Sequence, residues 1–202
     1  MLVKRQFSLN QKLKNSNIEK KIILNISLIC IAGLIIRFYY TPFGIPVSFD
    51  GFTGYFLYTL DISILGHLPN YTLSQSGWSE FLSLFFMNFH SENLIDYTDM
   101  QRTISVILSG ITVIPIYFIC KKFFNNYYSL IGATIFAFEP RIILNSTLGV
   151  AEPLYILAIS LGILLFLNLN KKIIYLSFGF FAWATIIRPE GQFWFVAFSV
   201  IY

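Results

Sequence analysis

The stretch KKIILNISLICIAGLIIRFYY, from Lys20 to Tyr40, decides how this chain is read. Two lysines lead into a nearly unbroken apolar run, which closes on an arginine and three aromatic residues. Ile22–Phe38 is just long enough to cross the hydrocarbon core of a bilayer as a helix. Lysines before it suit a cytoplasmic flank, and Tyr39 and Tyr40 after it suit an interfacial aromatic belt. The polar arm ahead of the run, residues 1–21, is long, and no small-x-small cleavage site comes after the run. It therefore reads as a signal anchor and not as a removed leader.

Outward from that stretch, the charges are sorted. All nine lysines lie in the N-terminal arm or in the pairs Lys121-Lys122 and Lys171-Lys172. Nine of the ten acids and four of the five arginines fall in the alternate gaps. This is the pattern of a polytopic helical membrane protein with lysine-rich loops inside. It puts Asp50, Glu139, Glu152 and Glu190 on the outer face, with Arg141 and Arg188 among them. Composition agrees: 56% of residues are hydrophobic and only 12% charged, where a soluble domain is nearer a quarter charged. The net charge of +4 comes from residues at span ends, so it does not point to nucleic acid. Cys30 and Cys120 have no metal-ligand neighbours and read as small apolar residues without a disulfide.

The expected class is all-α, with a cytoplasmic arm over 1–21 and a transmembrane domain over 22–202. After the first span comes a long external loop, Tyr40–Met100. It holds two apolar aromatic stretches too short to cross, Phe52–Leu65 and Phe81–Phe89, expected as interfacial helices. The second span is Ile104–Cys120. A third, Tyr127–Phe138, stops at Glu139-Pro140-Arg141, and an external turn runs to Glu152. Pro153 opens the fourth span, which ends near Leu169, and Ile173–Ile187 is the fifth. Phe193–Tyr202 begins a sixth at about half the needed length, so either the chain is the N-terminal part of a larger protein or another chain completes this segment.

Several residues could carry chemistry. Asp50 comes after the first span at the entry of an interfacial helix, where a carboxylate either caps the helix or accepts a proton from a hydroxyl. Asp61, eleven residues on, falls on the same face of a regular helix and reads as a polar-face residue. Glu152 precedes Pro153, either as a favourable charge at a helix start or as a functional acid. Glu139 and Arg141 flank Pro140, and Arg188 and Glu190 flank Pro189. Each pair either forms a local ion pair, meets lipid headgroups or meets a ligand, and an arginine there suits a phosphate. His90-Ser91-Glu92 lacks a supporting His or Cys cluster for a metal. Asn70-Tyr71-Thr72 and Asn145-Ser146-Thr147 are glycosylation sequons on the outer side.

The order of features carries a resemblance. It runs through Phe49-Asp50-Gly51-Phe52, Gly66-His67-Leu68-Pro69, Arg102-Thr103-Ile104-Ser105 and Phe138-Glu139-Pro140. It continues with Glu152-Pro153-Leu154-Tyr155 and closes on Ile187-Arg188-Pro189-Glu190-Gly191. The chain resembles the N-terminal half of GT-C membrane glycosyltransferases. It looks most like the protein O-mannosyltransferase-like enzymes that use dolichyl-phosphate mannose, and more distantly like oligosaccharyltransferase catalytic subunits. The resemblance implies catalytic roles for Asp50 and Glu152, and substrate binding by Glu139, Arg141, Arg188 and Glu190. It implies a polyprenyl-phosphate sugar donor, a protein, glycan or lipid acceptor, and no obligatory cofactor, with a divalent metal compatible. Two departures stand out. Gly51 succeeds Asp50 where an acid is common, and Glu152 stands alone where a paired acid serves metal-dependent oligosaccharyl transfer. A non-enzymatic membrane component, a transporter fragment or an assembly subunit, is the competing reading. The acids lie at span ends and not at mid-span, which favours an interfacial reaction.

Overall fold

The computed structural model describes residues 2–70 and 75–202, with side chains from Lys20 onward. Among the described residues every regular element is a helix. The first, α1 (Leu2–Tyr40), runs 39 residues without a break, so the polar arm and the apolar run share one helix. Its section Lys20–Tyr40 is long and apolar enough to cross a membrane. Ile23, Leu24, Leu28, Ile31 and Ile35 each stay more than half exposed along it. A continuous apolar face of this kind marks contact with lipid or with another protein.

After α1, the long first loop is structured. α2 (Phe49–Gly51), a π-helical turn over Phe52–Phe56 and α3 (Leu57–Leu65) succeed one another. Gly66, at φ +71°, ends α3 in a left-handed cap. α4 (Gly77–Phe86) begins and ends earlier than the expected Phe81–Phe89. Its Trp78 and Leu82 are fully buried, so one face of this element belongs to the core. Residues 71–74, which include most of the sequon at Asn70, lie outside the described residues.

The second helix of membrane-crossing length is a rod of 30 residues, Leu94–Phe123. It consists of α5 (Leu94–Ile111) and α6 (Val113–Phe123). The expected span, Ile104–Cys120, lies inside it, but the helix starts earlier, where the Asn93 side chain accepts from Ile95 N at 3.0 Å. Arg102, expected ahead of the span, is therefore a helical residue. The rod is interrupted at Thr112. Pro115 has no N–H to offer the Ile111 carbonyl, and its ring crowds that oxygen.

The remaining helices are α7 (Asn126–Phe138), α8 (Pro140–Thr147), α9 (Glu152–Phe166), α10 (Lys171–Ile187) and α11 (Gly191–Ile201). Apart from α8, they match the expected apolar segments to within a few residues. All are shorter than the roughly 20 residues of an upright crossing helix. The stretch expected as an external turn, Glu139–Glu152, contains α8, because Pro140 is preorganised for a first helical position. Its sequon is sequestered: Ser146 is fully buried and Thr147 nearly so.

Two cores hold the bundle. One joins α4, α9 and α10 through Trp78, Leu82, Leu154, Ala158, Phe181 and Ala184. The other joins α1, α6 and α7 through Ile26, Val113, Tyr117, Ala133 and Ala137. Arg37 is buried at the second, where Nε donates to Ser109 Oγ at 3.0 Å and Nη1 to the carbonyls of Gly33 and Ala137 at 3.0 and 2.7 Å. These bonds tie the end of α1 to the end of α7, so the two helices run parallel. Tyr117 Oη reaches Asn126 Oδ1 at 3.4 Å, which sets α6 antiparallel to α7. α9 and α10 form an antiparallel hairpin, tied at its open end by Arg188 and Glu152. The lysine pairs at 20–21, 121–122 and 171–172 thereby gather at one end of the bundle, and Glu152 and Arg188 at the other.

Candidate functional site

At the end away from the lysines, three loops meet. The segment Ile45–Ser48 leads into α2 with Asp50. The turn Leu148–Ala151 leads into α9 with Glu152. Arg188 and Glu190 come directly after α10. A cleft of about 390 Å³ opens between these loops, lined by Asp50, Thr53, Tyr55, Gln75, Glu152 and Arg188, with Gly54 and Val150 completing the wall.

Asp50 does not cap its helix. That role belongs to Ser48, whose Oγ accepts from Gly51 N at 3.2 Å and donates to the Leu148 carbonyl at 3.2 Å. Asp50 is exposed and lies in the first turn. The departure at Gly51 also has a cause. A Cβ there would sit 3.0 Å from Leu148 O and 3.3 Å from Gly149 O, so an acid cannot succeed Asp50 without moving the turn. Asp61 does not line the cleft. The π-helical turn between the two acids takes up about one residue more than a regular turn, which shifts the residues after it by about 100° around the helix axis.

Arg188 is the hub of the charged groups. Its Nε and Nη2 bond the two Glu190 oxygens at 3.2 and 3.0 Å, and its Nη1 bonds Glu152 Oε1. One N–H on each of Nη1 and Nη2 is left over. The guanidinium carbon lies 6.0 Å from the ring centre of Tyr155, which is about one turn beyond Glu152 on α9. The hydrogen bond to Glu190, more than any other influence, raises the Arg188 pKa, against the opposing effect of burial. The same bond holds the Glu190 carboxyl below the usual carboxylate range. Glu152 Oε2 is buried and has no hydrogen-bond partner.

Sequence reasoning missed Tyr55 and Gln75. Tyr55 Oη donates to Gln75 Oε1 at 3.3 Å, and burial, then the Glu152 charge, pushes the phenol pKa up. Tyr55 is thus a neutral donor at the cleft wall. Asp50, Thr53 and Gly54 show the spacing i, i+3, i+4 of one helical face. That signal could have marked this face of the helix, though not Tyr55 itself.

Glu139 and Arg141 stand apart. Glu139 is half-buried before α8, Arg141 is exposed within it, and neither lines the cleft. No salt bridge among the described residues joins them. As for a metal, no group of three His, Cys, Asp or Glu converges among the described residues.

Beneath the cleft, adjacent residues of α5 staple its two loops together. Gln101 Nε2 donates to the carbonyls of Gly51, at 3.3 Å, and Gly149. Arg102 donates to Ile45 O, to Pro46 O at 2.6 Å and to Thr147 O at 3.3 Å. Gly149 sits at φ +71°, and a Cβ there would lie 2.8 Å from Val47 Cγ1. The Asp50 loop and the Glu152 loop therefore form one unit. Comparison with known proteins returns no matching family model, no matching curated protein and no matching solved structure.

Proposed function

We propose that this chain is a polytopic membrane glycosyltransferase of GT-C type, with its cleft at the extracytoplasmic interface. It would move a hexose from a polyprenyl-phosphate donor to a hydroxyl of a protein, glycan or lipid acceptor. The observation that carries this reading is the meeting of Asp50, Glu152 and Arg188 around one open cleft, at the end of the bundle opposite the lysines. A lipid-linked donor has to be met at such an interface.

In this reaction the acceptor oxygen attacks the anomeric carbon, and its proton passes to the Asp50 carboxylate. The bond from that carbon to the phosphate oxygen breaks, the phosphate leaves with the electron pair, and the sugar inverts. The remaining N–H groups of Arg188 meet the charge that develops on the leaving phosphate. Glu152 holds Arg188 in place through Oε1. Tyr55 and Gln75 offer neutral hydrogen-bonding groups to sugar hydroxyls.

The test is hexose transfer from a radiolabelled polyprenyl-phosphate donor by the protein in its own membranes. Asp50→Asn should lower the rate about 100-fold to 10,000-fold, the usual cost of a lost general base. Because Ser48 and not Asp50 caps α2, unfolding should change by no more than about 0.5 kcal/mol. Near-normal transfer at saturating donor and acceptor would sink the assignment.

A further inference from the structure

At the other end of α9 lies a second concavity. It has a volume of about 500 Å³ and is lined by Phe118, Lys121, Lys122, Leu164, Leu165 and Asn168. The geometry points to a binding site for one anionic phospholipid, with its phosphate between the two lysines and an acyl chain along Phe118, Leu164 and Leu165. This site is separate from the cleft: Leu164 is twelve residues beyond Glu152 on α9, about 18 Å along the helix.

Charge and shape both favour that occupant. Lys121 and Lys122 are exposed, and the three salt bridges among the described residues involve neither. No carboxylate among the described residues lines the groove. Asn168 Oδ1 already accepts from Asn170 N at 3.1 Å, so the end it offers a ligand is its amide NH₂. Every described polar side chain at the rim therefore offers donors, and the rest of the described wall is apolar. A phosphodiester carrying an acyl chain satisfies both halves, whereas a free phosphate satisfies only the rim. The competing account is that the lysines only offset the partial negative charges of two helix ends, since α6 and α9 both finish here. That account requires no groove between them.

The experiment is native mass spectrometry of the whole protein released from nanodiscs of phosphatidylcholine alone or mixed with phosphatidylglycerol. Wild type should retain one phosphatidylglycerol in preference to phosphatidylcholine. A lysine beside an anionic lipid contributes about fivefold in affinity, so Lys121→Gln with Lys122→Gln should weaken retention about 30-fold. The pair Lys171→Gln with Lys172→Gln, at the same end but outside the groove, should retain the lipid as wild type does. Leu165→Trp, which fills the apolar part and keeps both lysines, should also lose it. Equal loss in both lysine variants would reduce the effect to diffuse surface attraction and overturn the site. Undiminished retention by Leu165→Trp would overturn the groove as well. Neither outcome depends on sugar transfer at the cleft.

Discussion

Arg188 concentrates the chemistry of the cleft in one side chain. Glu152 reaches it from the start of α9 and Glu190 from two residues further along the chain. Because the bond to Arg188 depresses the Glu190 pKa, its stabilising effect is fully present above the unfolded carboxylate value. It is lost as pH falls through the lower, folded value. Arg188→Gln removes this effect. The thermal midpoint of the variant should therefore fall less than that of wild type between about pH 5 and pH 3. Glu190 is largely exposed, so the difference is small and is best read beside a carboxyl titration by NMR. In that titration Glu190 should return to the ordinary range. Transfer should drop about 100-fold, the cost of a lost charge-stabilising donor. An unmoved Glu190 titration would mean that the ion pair does not form in solution.

At the scale of elements, α5 governs the site without lining it. Gln101 and Arg102 donate to backbone carbonyls on both loops, and both side chains are buried. Arg102→Met would leave the carbonyls of Ile45, Pro46 and Thr147 without that donor. Ile45 and Pro46 are exposed and Ile45 O also accepts from Thr98 Oγ1, so the loss centres on the buried Thr147 carbonyl and should be about 1–3 kcal/mol. Amide exchange should rise at Val47–Gly51 and Gly149–Val150 and stay slow in the α9–α10 hairpin. A uniform rise through the whole bundle would show that Arg102 supports the fold at large and not these loops. The helices themselves were legible in the sequence from the apolar runs, and the structure adds that Asn125 and Asn170 cap α7 and α10 as side-chain acceptors. The staple was not, because its acceptors are backbone carbonyls, which any residue carries.

For the whole molecule, the sorted lysines and the placed helices say the same thing. Six lysines lie at one end of the bundle and the cleft at the other, and that arrangement fits one orientation across a bilayer. In a background with Cys30 and Cys120 replaced by alanine, Asn125→Cys and Asn170→Cys should resist a membrane-impermeant maleimide in intact cells. Thr53→Cys, at the cleft, should react. Labelling of Asn125→Cys before lysis would invert or abolish this topology. The two helices long enough to cross, Lys20–Tyr40 and Leu94–Phe123, anchor the proposal. The shorter helices lean on them through the two cores.

The sequence by itself determined the helical class, most helix positions to within a few residues and the separation of lysines from acids. All of these depend on the order of residue types along the chain. It also singled out Asp50, Glu152 and Arg188, because charges at helix ends are conspicuous in an apolar chain. Only the tertiary structure decided which of the outer charges converge. Glu139 and Arg141 look like Glu152 and Arg188 on paper, yet they stay out of the cleft, since position along a chain says nothing of a helix's rotation against its neighbours. The π-helical turn that separates Asp61 from Asp50, and the burial of Arg37 and Arg102 against carbonyls, have the same origin. They are set by how helices pack and by which backbone groups that packing leaves in need of a donor.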